Sequence, residues 1–355
     1  MTPAEMKNKE IFRFLTNILT PLLAILFFLG CPQLVLSAAK AESSTESDHS
    51  EVVGPPVPAA ETNDAESEII PGPRFALYPA EVRPGEPVTV AYNDDFDVTE
   101  TLQAILLDSQ GKVLAKAKFF EIDQELKAAI LAVPSTAVSG AAFISIESDA
   151  RVARILRFTI TGRDFISETI PLNQANTDLR TVPDPQKTAE SDQLWRILSR
   201  TGTEIYSGSQ FMPPVTSTRR TSFFGDRRVY RYTSGSSDTT IHAGIDFGVP
   251  TGTEVKACAA GKVVLARSRI VTGNSVVLEH LPGIYSLYYH MDRIGVSEGS
   301  IVEAGSLLGL SGSTGLATGP HLHWEIRVSG ENADPDAFTA RAVLDKKDIL
   351  NKLTN

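Results

Sequence analysis

The sequence predicts a mostly β protein with two domains, an immunoglobulin-like β-sandwich at residues 73–163 and a second all-β domain at residues 216–340. The chain has 355 residues, 42% of them hydrophobic, which is more than one ordinary domain needs. From residue 75 to residue 160, short apolar runs alternate with turn signals such as Arg83-Pro-Gly-Glu86. After residue 216, glycine and β-branched residues dominate again. Regular short strands of this kind are typical of sandwiches and other all-β folds.

Residues 1–41 are typical of an export signal. Three basic residues, Lys7, Lys9 and Arg13, precede a stretch from Phe14 to Ala39 that contains no charged residue. The stretch ends in Ala39-Lys40-Ala41, which fits the small-residue pattern of a cleavage site. We therefore expect a signal peptide that is removed after Ala41.

Two alternatives to cleavage stay open. The apolar run is about 20 residues long, which is enough to span a bilayer as an uncleaved anchor. Cys31 follows a faint lipoprotein motif and would then be lipidated. All three alternatives place most of the chain in the periplasm, the cell envelope or the medium. If Cys31 is cleaved off or lipidated, Cys258 has no partner within the chain, so no internal disulfide is expected.

Residues 42–72 are predicted to be a flexible linker, because they are rich in Glu, Ser, Pro, Ala and Thr and contain no aromatic residue.

The whole chain carries 33 basic and 43 acidic residues, a net charge of −10. An acidic chain without a basic block is a poor ligand for polyanions, so we expect no nucleic-acid partner. The sequence gives no indication of the oligomeric state.

Residues 164–215 are predicted to be a polar connector with one short helix at 191–200, where three apolar residues share a face. Its position suggests the hypothesis that residues 191–214 cover the active site as an inhibitory plug. Residues 341–355 form a C-terminal tail, in which residues 346–353 are predicted to be a short helix.

Five of the six histidines lie between His242 and His323. Polar and apolar residues alternate strictly over residues 321–328, which predicts a strand with His321 and His323 on one polar face. Two imidazoles on one face can converge on one centre, one as a metal ligand and one directed at a bound water. A solvated polar strand face is the alternative.

His242 and Asp246 form a second candidate pair. On a regular strand they would lie about 13 Å apart, too far to share a metal ion. Gly244 allows the chain to bend between them and to bring both side chains together. Imidazole and carboxylate are ordinary zinc donors, and three protein ligands leave the open position of a catalytic site. An ordinary loop is the alternative. The chain contains no His-Glu-x-x-His, which excludes the zinc peptidases that carry that motif on a helix.

Residues 273–291 predict a β-hairpin, because two apolar strands flank Leu281-Pro-Gly283. His290 is predicted to end the second strand, on the same face as Tyr288. His280 lies just before the turn and is predicted to be a structural histidine, hydrogen-bonded near the hairpin end.

Four motifs in this order resemble the lysostaphin/LytM-type zinc metallopeptidases over roughly residues 216–338. They are Ser222-Phe-Phe-Gly-Asp-Arg227, His242-x3-Asp246, the Gly273 to Met291 hairpin, and Ser313 to His323. Ala317 departs from the pattern, since a small hydroxyl residue is frequent there. Residues 73–163 resemble, less specifically, a sandwich-like domain that precedes this domain in some exported members.

The resemblance implies one zinc ion per chain, bound by His242, Asp246 and His323. It implies catalytic roles for His290 and His321. One of these two would orient or deprotonate a water molecule and the other would contact the developing oxyanion; the sequence does not decide which does which.

The function implied is that of an exported zinc-dependent endopeptidase that hydrolyses the peptide cross-links of peptidoglycan, with stem peptides as its partner and cell-wall remodelling as its role. We expect cleavage of a D-alanyl–diaminopimelate bond if the envelope is Gram-negative. Arg227 is a candidate contact for a substrate carboxylate, with an ion pair inside the domain as the alternative. Two other functions are weighed: a non-catalytic wall-binding or activator module of the same fold, and a zinc peptidase that acts on another exported peptide.

Overall fold

The computed structural model describes residues 74–93, 101–124, 126–148 and 152–354. The predicted signal or anchor and the predicted linker, residues 1–72, lie outside the described residues. Within the described ranges, no helix combines the length and the apolar character that crossing a membrane requires. The prediction of a mostly β fold is confirmed.

Residues 75–160 form two β-sheets. In chain order their strands are β1 (Phe75–Tyr78), β2 (Glu81–Val82), β3 (Pro87–Asn93), β4 (Gln103–Leu107), β5 (Val113–Lys118), β6 (Phe120–Glu121), β7 (Leu126–Ala132), β8 (Gly140–Glu147) and β9 (Val152–Ile160). One sheet has the order β1-β3-β7-β6 and the other the order β2-β9-β8-β4-β5. Both sheets contribute to one hydrophobic core. The immunoglobulin-like assignment stays a prediction.

The sheet β1-β3-β7-β6 is buried on both faces. Along β3, Val88 and Val90 belong to the core shared with the other sheet, whereas Ala91 belongs to the core of the C-terminal half of the chain. This division follows from the alternation of side chains along a strand. The Tyr78 hydroxyl also donates a hydrogen bond to the carbonyl oxygen of Val343 at 2.8 Å. The sheet β1-β3-β7-β6 therefore packs directly against the C-terminal half.

The predicted connector contains one strand and two helices: β10 (Ser167–Pro171), α1 (Gln174–Thr181) and α2 (Pro185–Leu198). Helix α2 begins earlier than the sequence indicates, because the Asp184 side chain caps its first turn and Pro185 occupies the first helical position. Helix α1 was not predicted, because its sequence is polar and lacks an apolar period. The Asn173 side chain caps it by accepting a hydrogen bond from the Asn176 amide.

The C-terminal half is β-rich, as predicted. Its strands are β11 (Arg220–Ser222), β12 (Arg227–Arg231), β13 (Ser237–Ile241), β14 (Gly244–Phe247), β15 (Glu254–Lys256), β16 (Gly261–Arg269), β17 (Gly273–Leu281), β18 (Ile284–Ile294), β19 (Ile301–Val302), β20 (Leu307–Ser311), β21 (Leu322–Val328) and β22 (Glu331–Ala333). The main path of the large sheet runs β11-β14-β21-β18-β17-β16-β19. Strand β20 pairs with β15 and β18, and β22 pairs with β21. Strands β10, β12 and β13 form a separate three-stranded sheet in the order β10-β12-β13.

Strands β17 and β18 form the predicted hairpin. Pro282 and Gly283 connect them, and Gly283 has a φ of +79°, a conformation that glycine adopts without steric cost. The hairpin lies in the middle of the large sheet, so its side chains are buried on both faces.

Two short helices close the chain, α3 (Pro335–Ala340) and α4 (Lys346–Thr354). Helix α4 corresponds to the helix predicted at residues 346–353. Its residues Ile349 and Leu353 are buried, and the helix packs against β1 and β3. The C-terminal tail thus covers part of the sheet that the N-terminal half contributes.

His280 on β17 is a structural residue of the core, as predicted. Its Nδ1 lies 2.8 Å from the carbonyl oxygen of Ala260, and its Nε2 lies 2.7 Å from Oγ of Ser286. Burial lowers the pKa of His280 to about 4, although the hydrogen bond to Ala260 favours the protonated ring. Cys258 is a free, buried cysteine next to this imidazole, with Sγ 3.6 Å from Nε2.

We expect the native state to lose stability as the pH falls from 6.5 toward 4. Below pH 6.5, His280 binds a proton in the unfolded chain but not in the native one, where its pKa is about 4. The loss reaches about 3 kcal/mol if this residue titrates alone. Urea unfolding at several pH values measures it. In His280→Gln, the pH slope should decrease by about one proton; an unchanged slope would contradict this assignment.

Candidate metal centre

Two neighbouring strands bring the predicted metal ligands together. Asp246 on β14 lies directly opposite His323 on β21 in an antiparallel pair, so both side chains point to the same face. His242 lies just after β13, where its amide donates to the Asp226 carbonyl oxygen at 2.8 Å. A Cβ on Gly244 would lie 2.1 Å from the carbonyl oxygen of Trp324, so only glycine fits where the chain turns into β14.

The three side chains converge on one point. His242 Nε2 lies 3.1 Å from Oδ1 of Asp246, and His323 Nδ1 lies 2.7 Å from the same oxygen. The two ring nitrogens are 3.0 Å apart. All three residues are buried, with exposed fractions of 3%, 6% and 7% for His242, Asp246 and His323. One nitrogen or oxygen atom of each is therefore positioned for the same ion.

Hydrogen bonds on the far side of each ring indicate its tautomer. His242 Nδ1 lies 2.8 Å from the Phe223 carbonyl oxygen, to which it can only donate. His323 Nε2 lies 2.9 Å from Oε1 of the Glu325 carboxylate. The other nitrogen of each neutral ring then carries a lone pair directed at the Asp246 carboxylate. Three electron-pair donors facing one another require a cation, and two imidazoles with one carboxylate fit zinc.

The electrostatics of this cluster agree with that requirement. Burial alone would raise the pKa of Asp246, but His242 and His323 hold it well below its ordinary value. Burial lowers the pKa of His242, and its interaction with Asp246 offsets this only in part. The two carboxylates beside His323 overcome its burial and raise its pKa to about 9. The cluster thus favours a positive charge at the position that the three side chains face.

The two predicted catalytic histidines lie beside this cluster. His321 Nε2 is 3.8 Å from Oδ1 of Asp246, and the rings of His290 and His321 have centroids 4.7 Å apart. His290 Nδ1 lies 2.7 Å from the Thr314 carbonyl oxygen, and His321 Nδ1 lies 2.8 Å from the Gly319 carbonyl oxygen. Each ring therefore donates from Nδ1 and leaves Nε2 free to accept a proton.

Local details differ from the predicted strand positions. His290 does not end β18: its φ is +60°, at the point where the strand leaves β21 and continues beside β20. A positive φ in a non-glycine residue is strained, and such strain is frequent at functional sites. His321 precedes β21 and joins Gly312 in an isolated bridge. The polar face of β21 is not solvated, because His323 and Glu325 on it are buried.

The prediction that Arg227 contacts a substrate carboxylate is wrong, and so is its alternative of an ion pair. Its guanidinium donates to the carbonyl oxygens of Gly225 and Ser135 at 2.7 and 2.8 Å and stacks on the Phe165 ring, 4.5 Å from the centroid. Side chains alternate along β12, so the next residue, Arg228, points to the opposite face and into the site.

Arg228 is a site residue that the sequence did not reveal. Its Nη2 donates to Oδ2 of Asp246 at 2.6 Å, and its Nε donates to Oε1 of Glu168 on β10 at 2.9 Å. Its pKa is raised, because the negative charge of Asp246 outweighs the effect of burial. Glu325, also missed, accepts from His323 and from Arg327 and has a pKa of about 2, because these partners outweigh its burial. The alternation of side chains along β12 and β21 is the sequence feature that could have indicated both residues.

The cluster lies in a cleft. One wall consists of the sheet β10-β12-β13 with helix α1, which contribute Ile170, Arg180 and Tyr230. Two loops around residues 271–272 and 316–318 also line the cleft. The Asn176 side chain ties α1 to the second loop by donating to the Ala317 carbonyl oxygen at 3.1 Å. Residues 191–214 do not line the cleft, so the hypothesis that they plug it is wrong.

Comparison with known proteins agrees with this geometry. Residues 240–335 match the model of Peptidase family M23. The chain is 38% identical over 122 residues to the DD-carboxypeptidase/endopeptidase Mpg of Neisseria meningitidis, covering 34% of this chain and 27% of that protein. It is 36% identical over 143 residues to the peptidoglycan DD-endopeptidase ShyA of Vibrio cholerae, covering 40% and 33%. The predicted resemblance to zinc metallopeptidases is confirmed.

A solved structure extends the likeness beyond the matched segment. The crystal structure of a peptidase M23 protein from Pseudomonas aeruginosa superposes with a TM-score of 0.50 at 24% identity, covering 74% of this chain and 95% of that one. At 24% identity the comparison supports a shared fold only. The chain spans about a third or less of the length of the two curated relatives.

We expect each of His242→Ala, Asp246→Ala and His323→Ala to lose bound zinc, because two remaining ligands hold the ion too weakly. His290→Ala and His321→Ala should retain about one zinc per chain. Metal analysis of the purified variants measures the difference. Near-stoichiometric zinc in His242→Ala would contradict the assignment, and loss of zinc in His321→Ala would mean that the two histidines of the His-x-His pair exchange roles.

Proposed function

Because residues 240–335 form a Peptidase family M23 domain, we propose that this chain is a zinc-dependent endopeptidase that hydrolyses peptide cross-links of peptidoglycan. One observation carries the proposal. Two imidazoles and a carboxylate converge on one point in an open cleft, and two further imidazoles lie beside them with free Nε2 atoms. The names of the relatives supply the substrate class, since ShyA is a peptidoglycan DD-endopeptidase.

Each residue has a role in this proposal. His242, Asp246 and His323 hold zinc, which supplies a Lewis acid that polarises the scissile carbonyl and makes water acidic enough to react near pH 7. His321 is the nearer of the two remaining histidines to Asp246, and its Nε2 accepts the proton of the attacking water. His290, whose Nδ1 is held by Thr314, donates a hydrogen bond from Nε2 to the carbonyl oxygen as charge develops on it, a role that requires a proton on Nε2. The cleft walls orient the peptide between them.

The complete set of five side chains argues against the non-catalytic alternative. A binding or activator module needs neither three converging metal ligands nor two additional oriented imidazoles. Catalysis on peptidoglycan also requires the domain to lie outside the cytoplasm, in agreement with the export segment predicted at residues 1–41. A zinc peptidase that acts on another exported peptide has no specific support in the cleft.

Arg180 on α1 takes the role that the sequence suggested for Arg227. Its guanidinium lies over the Tyr230 ring, 4.2 Å from the centroid, and pairs with Asp238 on the rim at 3.1 Å. The other charged groups that line the described cleft, Arg228, Asp246 and Glu325, are paired with one another or with neighbouring groups. Arg180 engages Tyr232 and Asp238 through Nε and Nη2, so its Nη1 is the group that can donate to a carboxylate of the stem peptide.

The full chain loaded with zinc should hydrolyse the cross-links of purified sacculi and so separate the stem peptides from one another. Mass spectrometry identifies the products, and a D-alanyl–diaminopimelate bond is the expected site. His321→Ala, loaded with zinc, is the matched control and should be slower by about two to four orders of magnitude. New glycan ends with intact peptides would contradict an endopeptidase, and equal rates for the control would contradict the catalytic role of His321.

Arg180→Gln should lower kcat/KM about tenfold for a synthetic cross-linked peptide with a free carboxylate, because one charge-assisted hydrogen bond is lost. The same peptide with that carboxylate amidated should be cleaved equally by both enzymes. Arg231→Gln is the matched control, since Arg231 is exposed on β12 and does not line the cleft. An equal effect of Arg180→Gln on both peptides would contradict a role in carboxylate recognition.

A further inference from the structure

We propose that Arg228 and Glu168 are positioning residues of the metal centre. They restrict Asp246 to offering the metal a single oxygen, and they make zinc binding and the docking of strand β10 mutually dependent. The inference rests on the zinc site proposed above. It extends that site to a strand outside the family domain.

The two oxygens of Asp246 have different partners. Oδ1 is the atom that faces His242 and His323 at 3.1 and 2.7 Å. Oδ2 accepts a charge-assisted hydrogen bond from Nη2 of Arg228 at 2.6 Å. A free carboxylate can bind a cation through one oxygen or both. Because Arg228 occupies Oδ2, Asp246 is prepared to bind through Oδ1 alone, in the direction that the two imidazoles require.

Glu168 holds Arg228 in that position. The Nε of Arg228 donates to Oε1 of Glu168 at 2.9 Å, and Ser222 Oγ donates to the same oxygen at 3.0 Å. The guanidinium thus bridges two carboxylates with separate nitrogens, a geometry that lysine cannot reproduce. Glu168 also neutralises a positive charge near the metal position. Without Glu168, Arg228 would be less fixed and would repel a divalent cation more strongly.

Glu168 belongs to a weakly supported strand. β10 has five residues and lies at the edge of the sheet β10-β12-β13, where it pairs with β12 alone. Ser167, Thr169 and Pro171 are exposed, and Glu168 and Ile170 are only partly buried. An edge strand with so little burial opens at a low cost in free energy. The ion pair of Glu168 with Arg228 therefore adds a side-chain contact to the backbone pairing that holds β10 against β12.

Coupling follows from these contacts. If docked β10 orients Arg228 and thereby Asp246, zinc binds the docked state more tightly than the undocked state. Linkage then requires zinc to stabilise docking by the same factor. Residues 168 and 228 both precede the segment 240–335 that matches the family, so this coupling is a property of the longer chain.

Zinc affinity of the full chain, measured by competition with a chromogenic chelator, tests the positioning role. Arg228→Met should weaken zinc binding about 10- to 100-fold, the usual effect of removing a partner that orients a ligand. Glu168→Gln should weaken it less but in the same direction, and Arg228→Lys should restore only part of the affinity. Arg231→Gln, on the same strand and outside the cleft, is the matched control and should bind zinc like the parent chain.

Amide hydrogen exchange of residues 167–170 tests the coupling. Zinc should slow exchange there in the parent chain, and this effect should be lost in Glu168→Gln. A purely structural role would instead speed exchange equally with and without zinc. Unchanged zinc affinity in both Arg228→Met and Glu168→Gln, or an unchanged zinc effect on exchange, would overturn the inference. A parent chain that binds zinc but does not cleave sacculi would contradict the proposed function and leave this inference intact, whereas a chain that binds no zinc would overturn both.

Discussion

A buried carboxylate, that of Asp246, is the constraint on which the site depends. An ionised carboxylate removed from water costs several kcal/mol unless partners compensate its charge. Here the partners are His242, His323 and Arg228, within 2.6 to 3.1 Å of its two oxygens. These partners come from three different segments, so the site exists only where β12, the residue after β13, and β21 meet the strand of Asp246, β14. The fold therefore has to be formed before the ligands can converge.

A row of charged groups extends outward from this carboxylate on both sides. In spatial order the charged members are Glu168, Arg228, Asp246, Glu325 and Arg327, with the ring of His323 between the last two carboxylates. Each buried charge thus has an opposite neighbour, which is the condition under which such groups are tolerated. The same bonds fix the direction in which each ligand presents its free electron pair. The same contacts therefore compensate the buried charges and orient the ligands.

The cleft is built from more of the chain than the family domain. Its floor, with His323 and Asp246, comes from the large sheet, but one wall comes from β10, β12, β13 and α1. The sheet β1-β3-β7-β6 packs against the C-terminal half through its second face and through Tyr78. Since the sheet β1-β3-β7-β6 and the connector contact the C-terminal half, changes far from residues 240–335 can reach the site.

The sequence by itself determined the mostly β fold, the hairpin at 273–291, the structural role of His280 and the set of histidines that the structure gathers in one cleft. These rest on local signals, such as the two-residue period, a Pro-Gly turn and the spacing of His242 and Asp246. Only the tertiary structure decided that Arg228 rather than Arg227 enters the site. The period of β12 assigns the two arginines to opposite faces, but which face meets Asp246 depends on how β12 packs beside β14. Glu168 and Arg180 could not be identified for the same reason. Each lies at least 58 residues before its partner of opposite charge, and no local pattern connects residues that meet only in the folded structure.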